Sequence, residues 1–130
     1  MMRAFFVFAS ALTASALLAW TDHANSQPTD GPIVTVSKFY PTPGREDELQ
    51  ARFLKAVEFV RKAEPNTVYR IHRSTKEPVV FLWYEVYESQ AALDNHRNVV
   101  LPAFRKEHGP LPEGIVTRPP ETDLWRDISK

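Results

Sequence analysis

The hydrophobic and polar positions from residue 33 onwards predict alternating strands and helices. Residues 33–40 are rich in β-formers and end at the Pro/Gly-rich segment 41–44, so they predict a first strand. Apolar residues then recur at helical spacing and predict an amphipathic helix that stops before Pro65. This apolar stripe consists of Leu49, Phe53, Ala56, Val57 and Val60.

A predicted hairpin follows and leads directly into a second helix. Residues 69–73 and 79–87 are rich in β-branched and aromatic side chains, and the polar segment 74–78 between them predicts a turn. Ser89 offers a helix N-cap, and residues 90–96 continue as helix. Pro102 predicts a break or restart, with 103–107 as a short turn and 108–114 as a loop. Residues 122–128 predict a last strand at a sheet edge, because Pro119 and Pro120 precede it.

The resulting β-α-β-β-α-β order predicts one α+β domain of the ferredoxin-like type over residues 33–128. Such a domain has a four-stranded antiparallel sheet with both helices on one face. The predicted strand 79–87 is apolar on both faces, with Phe81, Trp83 and Tyr87 on one side and Val80, Leu82, Tyr84 and Val86 on the other. Because soluble monomers rarely expose so large an apolar face, the pattern predicts a homodimer in which a second copy covers it.

Composition limits the partners that this domain can have. The 130 residues contain 16 basic and 16 acidic side chains, so the formal net charge is zero. This balance argues against nucleic acid or an anionic membrane as a partner. The absence of cysteine excludes disulfides and thiol chemistry. The many aromatic residues favour an apolar pocket or an interface.

Residues 1–26 have the pattern of a secretory signal peptide. Arg3 precedes an apolar run over residues 4–19, and Ala24 and Ser26 place small residues at positions −3 and −1 of a cut before Gln27. The alternative is an uncleaved anchor, but the run is shorter than the roughly 20 residues needed to span a bilayer. We therefore predict a secreted or periplasmic protein without stable membrane association after cleavage, with residues 27–32 as a linker.

Two titratable residues are the main candidates for chemistry. Glu85 is the one charge within residues 79–87. In an apolar pocket it would accept a proton or orient a substrate, whereas the structural alternative is a carboxylate paired with Arg70 or Arg73. His96 lies on the face of the second helix that should look at the sheet. There it can act as a base, as a hydrogen-bond donor to a substrate, or as a satisfied core residue.

Several further side chains could line a site for a flat aromatic ligand, although in strands such residues more often serve packing. They are Tyr69, His72, Trp83, Tyr84 and Tyr87. The histidines show no recurring metal-ligand spacing, and the chain has no glycine-rich phosphate loop or dinucleotide fingerprint. No metal and no cofactor are therefore expected.

The same segment resembles the antibiotic biosynthesis monooxygenase family. The pattern Tyr-x-x-His-x-Ser begins at Tyr69, and Tyr-Glu-x-Tyr-x-Ser-x-x-Ala-Leu-x-x-His runs from Tyr84 to His96. The resemblance extends over about residues 33–104. That family belongs to the dimeric α/β-barrel superfamily and includes the quinol monooxygenases, so the resemblance implies sheets paired in a dimeric barrel. Haem-degrading members of the superfamily use an asparagine on the first strand, and Ser37 at the corresponding place argues against haem.

Three functions remain open at the level of the sequence. A deprotonated quinol or anthrone can pass an electron to dioxygen itself, so a cofactor-independent monooxygenase needs a dry aromatic pocket, a proton acceptor and a fixed substrate pose. A polyketide-type cyclase or dehydratase would use the same groups, because proton abstraction is common to both reactions. A non-catalytic ligand-binding or stress-associated module would keep the fold alone.

Overall fold

The computed structural model describes residues 31–129, so the predicted signal peptide and most of the predicted linker lie outside the described residues. Strands β1 (Ile33–Phe39), β2 (Val68–Arg73), β3 (Phe81–Tyr87) and β4 (Glu121–Arg126) form one antiparallel sheet in the order β2-β3-β1-β4. Helices α1 (Glu46–Ala63), α2 (Gln90–Asn95) and α3 (Leu101–His108) complete the domain. This is the predicted ferredoxin-like α+β fold.

The register of the sheet separates a helix-covered face from an uncovered one. Thr35 lies opposite Glu85, and Ser37 lies opposite Trp83, so the odd-numbered residues of β1 and β3 point to the same side. On this side Phe53 of α1 packs edge-on against Phe81 and Trp83, with ring centroids 5.7 and 5.0 Å apart. The whole predicted apolar stripe of α1 is buried, which confirms that prediction.

The second helical segment is continuous from residue 90 to residue 108, with one π-helical turn at His96–Val100. Ser89 caps it as predicted, since its hydroxyl accepts a hydrogen bond from the Ala92 N–H at 3.2 Å. The prediction of a short turn at residues 103–107 is wrong. The Leu101 N–H reaches back five residues to the His96 carbonyl, and Pro102, which has no N–H, follows within the first turn of α3. The proline is accommodated without ending the helix.

The segment between α3 and β4 closes over one end of the sheet. Ile115 is fully buried, and its carbonyl accepts a hydrogen bond from the Thr42 N–H at 2.9 Å. The Thr117 N–H donates to the Tyr40 carbonyl at the same distance. β4 pairs with β1 alone and is exposed throughout, so the predicted edge position is confirmed. Within residues 31–129, no helix is long and apolar enough to cross a membrane.

Candidate functional site

A cavity of about 620 Å³ lies between the helix-covered face of the sheet and the α2–α3 segment. β1 and β3 form its floor, and the segment 111–120 and Thr122 of β4 form one side. Its apolar lining includes Phe39, Phe53, Trp83, Leu101 and Phe104. This size and lining suit a small aromatic molecule.

His96 lines this cavity and is held by a carboxylate that the sequence analysis missed. Its Nδ1 is 2.6 Å from Oε2 of Glu64, and the two side chains are 3% and 8% exposed. Asn95 Nδ2 donates to the other Glu64 oxygen at 3.2 Å. With Nδ1–H donating to Glu64, Nε2 is the nitrogen left for a ligand. Glu64 follows the last turn of α1, where the helix dipole disfavours an acidic side chain. This unfavourable position was the one indication in the sequence that Glu64 has a role outside its own helix.

Tyr69 stands beside His96 in the cavity wall, with ring centroids 5.4 Å apart. Its ring also packs edge-on against Trp83 at 4.6 Å. Burial raises the pKa of the Tyr69 phenol well above its usual range, and the Glu85 and Glu64 carboxylates raise it further. The hydroxyl therefore stays protonated and can donate a hydrogen bond. Within the described chain this hydroxyl makes no hydrogen bond, so it is available to a ligand.

Glu85 has hydroxyl partners in place of an arginine. Oε2 accepts a hydrogen bond from Thr35, its neighbour across the sheet, and another from the Tyr87 hydroxyl at 3.0 Å. Arg73 pairs with Asp47 at 2.8 Å instead. The carboxylate therefore lines the cavity with part of its hydrogen-bonding capacity already used.

The structure brings four of the seven predicted site residues to the cavity: Tyr69, Trp83, Glu85 and His96. Tyr87 lies behind them, fully buried, where it contacts Glu85 and the His96 ring. Tyr84 lies opposite Arg70 and His72 lies opposite Leu82, so both belong to the even-numbered set of β3 and β2 and point to the uncovered face. The expectation that they line the same pocket is therefore corrected, because side chains alternate along a strand.

Two other properties of the cavity bear on its chemistry. The Trp83 indole N–H has no hydrogen-bond partner within residues 31–129 and is enclosed by the rings of Phe39, Phe53 and Tyr69. In that same part of the chain, no group of three or more His, Cys, Asp or Glu side chains is placed to hold a metal ion. The polar groups of the cavity lining include the imidazole of His96, the phenol of Tyr69 and the carboxylate of Glu85.

Fold and cavity together define an α+β domain with an aromatic site, and comparison with known proteins assigns the family. The family model for "Antibiotic biosynthesis monooxygenase" matches residues 32–108, more than half of the chain. The chain belongs to this family. No curated protein matches it at a significant level.

Solved structures agree with the assignment. A candidate antibiotic biosynthesis monooxygenase from Caulobacter crescentus is 25% identical, with a TM-score of 0.65 over 78% of this chain and 93% of that one. Rv0793 from Mycobacterium tuberculosis is 22% identical, with a TM-score of 0.61 over 77% of this chain and 98% of that one. PA3566 from Pseudomonas aeruginosa is 18% identical, with a TM-score of 0.64 over 78% and 98%. The last two likenesses show the shared fold.

Proposed function

We propose that the protein is a cofactor-independent monooxygenase that oxidises a quinol- or anthrone-like aromatic substrate with dioxygen. The observation that carries this proposal is the contact between Glu64 and His96, which lines an aromatic cavity. Family membership supports the reaction class, and the aromatic lining supports the substrate class. A cyclase or dehydratase would share the proton acceptor and a non-catalytic module would keep the fold alone, but neither would consume oxygen.

Proton removal is the step that these residues would perform. Nε2 of His96 takes the proton from the substrate hydroxyl or from the anthrone methylene, and Glu64 stabilises the imidazolium that forms. The protonated Tyr69 hydroxyl donates to the substrate oxygen on which negative charge develops. The apolar walls keep water away from the anion.

Oxygen chemistry then follows from the substrate itself. The anion passes one electron to dioxygen, the two radicals combine at carbon as a peroxide anion, and the proton held by His96 converts it to the hydroperoxide. Loss of water leaves one oxygen atom on the substrate as a carbonyl. For an anthrone, the CH₂ group and O₂ become C=O and H₂O, so atoms and electrons balance without an added reductant.

Oxygen consumption with naphthalene quinols and anthrones, measured without flavin or metal, tests this function. The informative variant is His96→Asn, because the asparagine amide can still donate to Glu64 but has no Nε2 base. We expect a loss of about 10²-fold or more in rate over the uncatalysed background, with the fold intact by circular dichroism. A folded His96→Asn protein with wild-type turnover would remove His96 from the mechanism, and tight ligand binding without oxygen uptake would favour a non-catalytic module.

We also propose that the protein is exported and that the mature chain begins at Gln27. The support is the small-residue pattern at Ala24 and Ser26 after an apolar run. Mass spectrometry of the exported protein would show a start at Gln27, and a mature protein that retains Met1 or Met2 would contradict the proposal.

A further inference from the structure

The charged residues around the cavity are unevenly distributed. Three arginines line it, Arg52, Arg97 and Arg105, whereas Glu85 is the one acidic residue of the described chain that does so. The chain as a whole carries equal numbers of basic and acidic side chains. The excess of positive charge is therefore local to this site.

Arg52 has a structural role that accounts for its position. Its guanidinium donates to the carbonyl of His108 at 2.8 Å and to the carbonyl of Gly109, and it lies 4.5 Å from the centre of the Phe104 ring. It therefore satisfies the C-terminal end of α3, where the helix dipole favours a cation. Two of its five N–H donors are therefore used within the protein, and these contacts fix the guanidinium at the helix end.

Arg97 and Arg105 have no such partners. Both are exposed and line the cavity, and neither guanidinium makes an ion pair or hydrogen bond within the described chain. They lie four residues before and four residues after Leu101, which also lines the cavity. Arg97 and Arg105 therefore lie along the same edge of the site, with the apolar Leu101 between them.

We infer that the cavity takes an aromatic substrate that carries a carboxylate, with the carboxylate held by Arg97 and Arg105. This inference rests on the proposed function, since it concerns the substrate of that same site. The aromatic rings would lie against Phe53 and Trp83, and the hydroxyl that loses its proton would reach His96. Arginine suits this role because its planar guanidinium matches a carboxylate with two parallel hydrogen bonds.

A matched pair of probes tests the inference under anaerobic conditions, so that binding is measured without turnover. The probes are 1-hydroxy-2-naphthoate and its methyl ester, which differ in the negative charge, and affinity is measured by isothermal titration calorimetry. We expect the acid to bind wild-type protein about tenfold more tightly at low salt, as two partly exposed ion pairs allow. The preference should shrink as ionic strength rises.

The variant Arg97→Gln/Arg105→Gln should bind acid and ester equally. Lys106→Gln is the matched control, because it removes a positive charge next to Arg105 from a side chain that does not line the cavity. It should keep the preference for the acid. Equal binding of both probes by wild type, an unchanged preference in the double variant, or an equal loss in Lys106→Gln would each overturn the inference.

The two proposals fail separately in this design. A preference for the acid without oxygen uptake from any quinol would refute the monooxygenase reaction and leave the carboxylate site in place. Oxidation of neutral quinols by a protein without this preference would refute the carboxylate site and leave the reaction in place.

Discussion

Nδ1 of His96 lies 2.6 Å from Oε2 of Glu64, although 32 residues separate them in the chain. The contact joins the start of the π-helical turn to the end of α1, beneath the cavity. Both side chains are nearly fully buried, so neither can lose its partner without cost. Among the described residues, His96→Ala would leave the Glu64 carboxylate with Asn95 as its one remaining side-chain partner, which is why a donor-retaining replacement is the better test of catalysis.

The first prediction concerns Glu64 as a positioning residue. In Glu64→Gln the amide oxygen can still accept from Nδ1–H, so we expect the fold to persist. Without the carboxylate the imidazolium is less stable, and we expect kcat to fall by about tenfold to 10²-fold, less than in His96→Asn. KM should change little, because Glu64 does not line the cavity.

The measurement is kcat and KM for Glu64→Gln beside wild type, together with thermal stability. A purely structural role for Glu64 would change thermal stability and leave kcat in place. An unchanged kcat would exclude Glu64 from proton transfer.

Much of the fold follows from local patterns in the sequence. The stripe on α1, the Ser89 cap and the alternation in β3 each depend on residues close in the chain, and each is found as predicted. The helix beyond Pro102 was not predicted, because a proline usually breaks a helix. The π-helical turn before it, in which the Leu101 N–H bonds to the His96 carbonyl, has no signal in the local sequence.

The site was predictable only in part for a similar reason. His96 and Glu85 stand out as polar residues within apolar elements, so sequence periodicity finds them. The role of Glu64 depends on a hydrogen-bond partner in a different helical segment, and the role of Thr35 depends on a partner in the neighbouring strand. Such contacts depend on tertiary packing, which no local pattern specifies.

The second prediction concerns the hydroxyl that Thr35 donates to Glu85. Thr35 is buried in the middle of β1, so Thr35→Val keeps the shape of the side chain but removes the donor. Because a hydrogen bond to a charged group is lost, we expect the free energy of unfolding to fall by about 1.5–3 kcal/mol. Denaturant unfolding measures it.

The control for this experiment is Thr122→Val. Thr122 forms an exposed hydrogen bond with Ser37 at 2.8 Å, so its loss should cost within about 0.5 kcal/mol. Equal losses in the two variants would show that the Thr35–Glu85 contact contributes nothing beyond the change of residue type.

The third prediction concerns stability at alkaline pH. Burial, followed by the charge of Glu85, raises the pKa of both Tyr69 and Tyr87. In the unfolded chain these phenols ionise near pH 10, whereas the folded protein keeps their protons. The contribution of these two phenols to the free energy of unfolding is therefore fully present below about pH 10. Above that pH it decreases, by up to about 1.4 kcal/mol per pH unit for each tyrosine.

Urea unfolding from about pH 9 to about pH 11, on either side of the pKa of a tyrosine in an unfolded chain, measures this slope. Tyr69→Phe and Tyr87→Phe should each make the slope shallower, and the double variant should make it shallower still. If absorbance at alkaline pH showed all four tyrosines ionising in the folded protein, the prediction would be wrong.

The last prediction concerns the uncovered face of the sheet. Its apolar side chains are Val34, Val36, Leu82 and Val86, which are half-buried, and Val68, Tyr84 and Trp125, which are exposed. A face of this kind favours association, and we propose that a second copy covers it in a homodimer. A stable dimer of standard size would bury about 800 Å² on each copy.

Tyr84→Asp tests this homodimer by sedimentation velocity at micromolar concentration. Tyr84 lies at the centre of the uncovered face and is 37% exposed, so an aspartate there is tolerated in one folded copy but would be buried unpaired between two. We expect wild type to sediment as a dimer and Tyr84→Asp as a folded monomer. Leu54→Asp is the control, because Leu54 is 53% exposed on α1, away from this face, and the dimer should persist. A wild-type monomer, or a Tyr84→Asp protein that dimerises as strongly as wild type, would show that this face is not the interface.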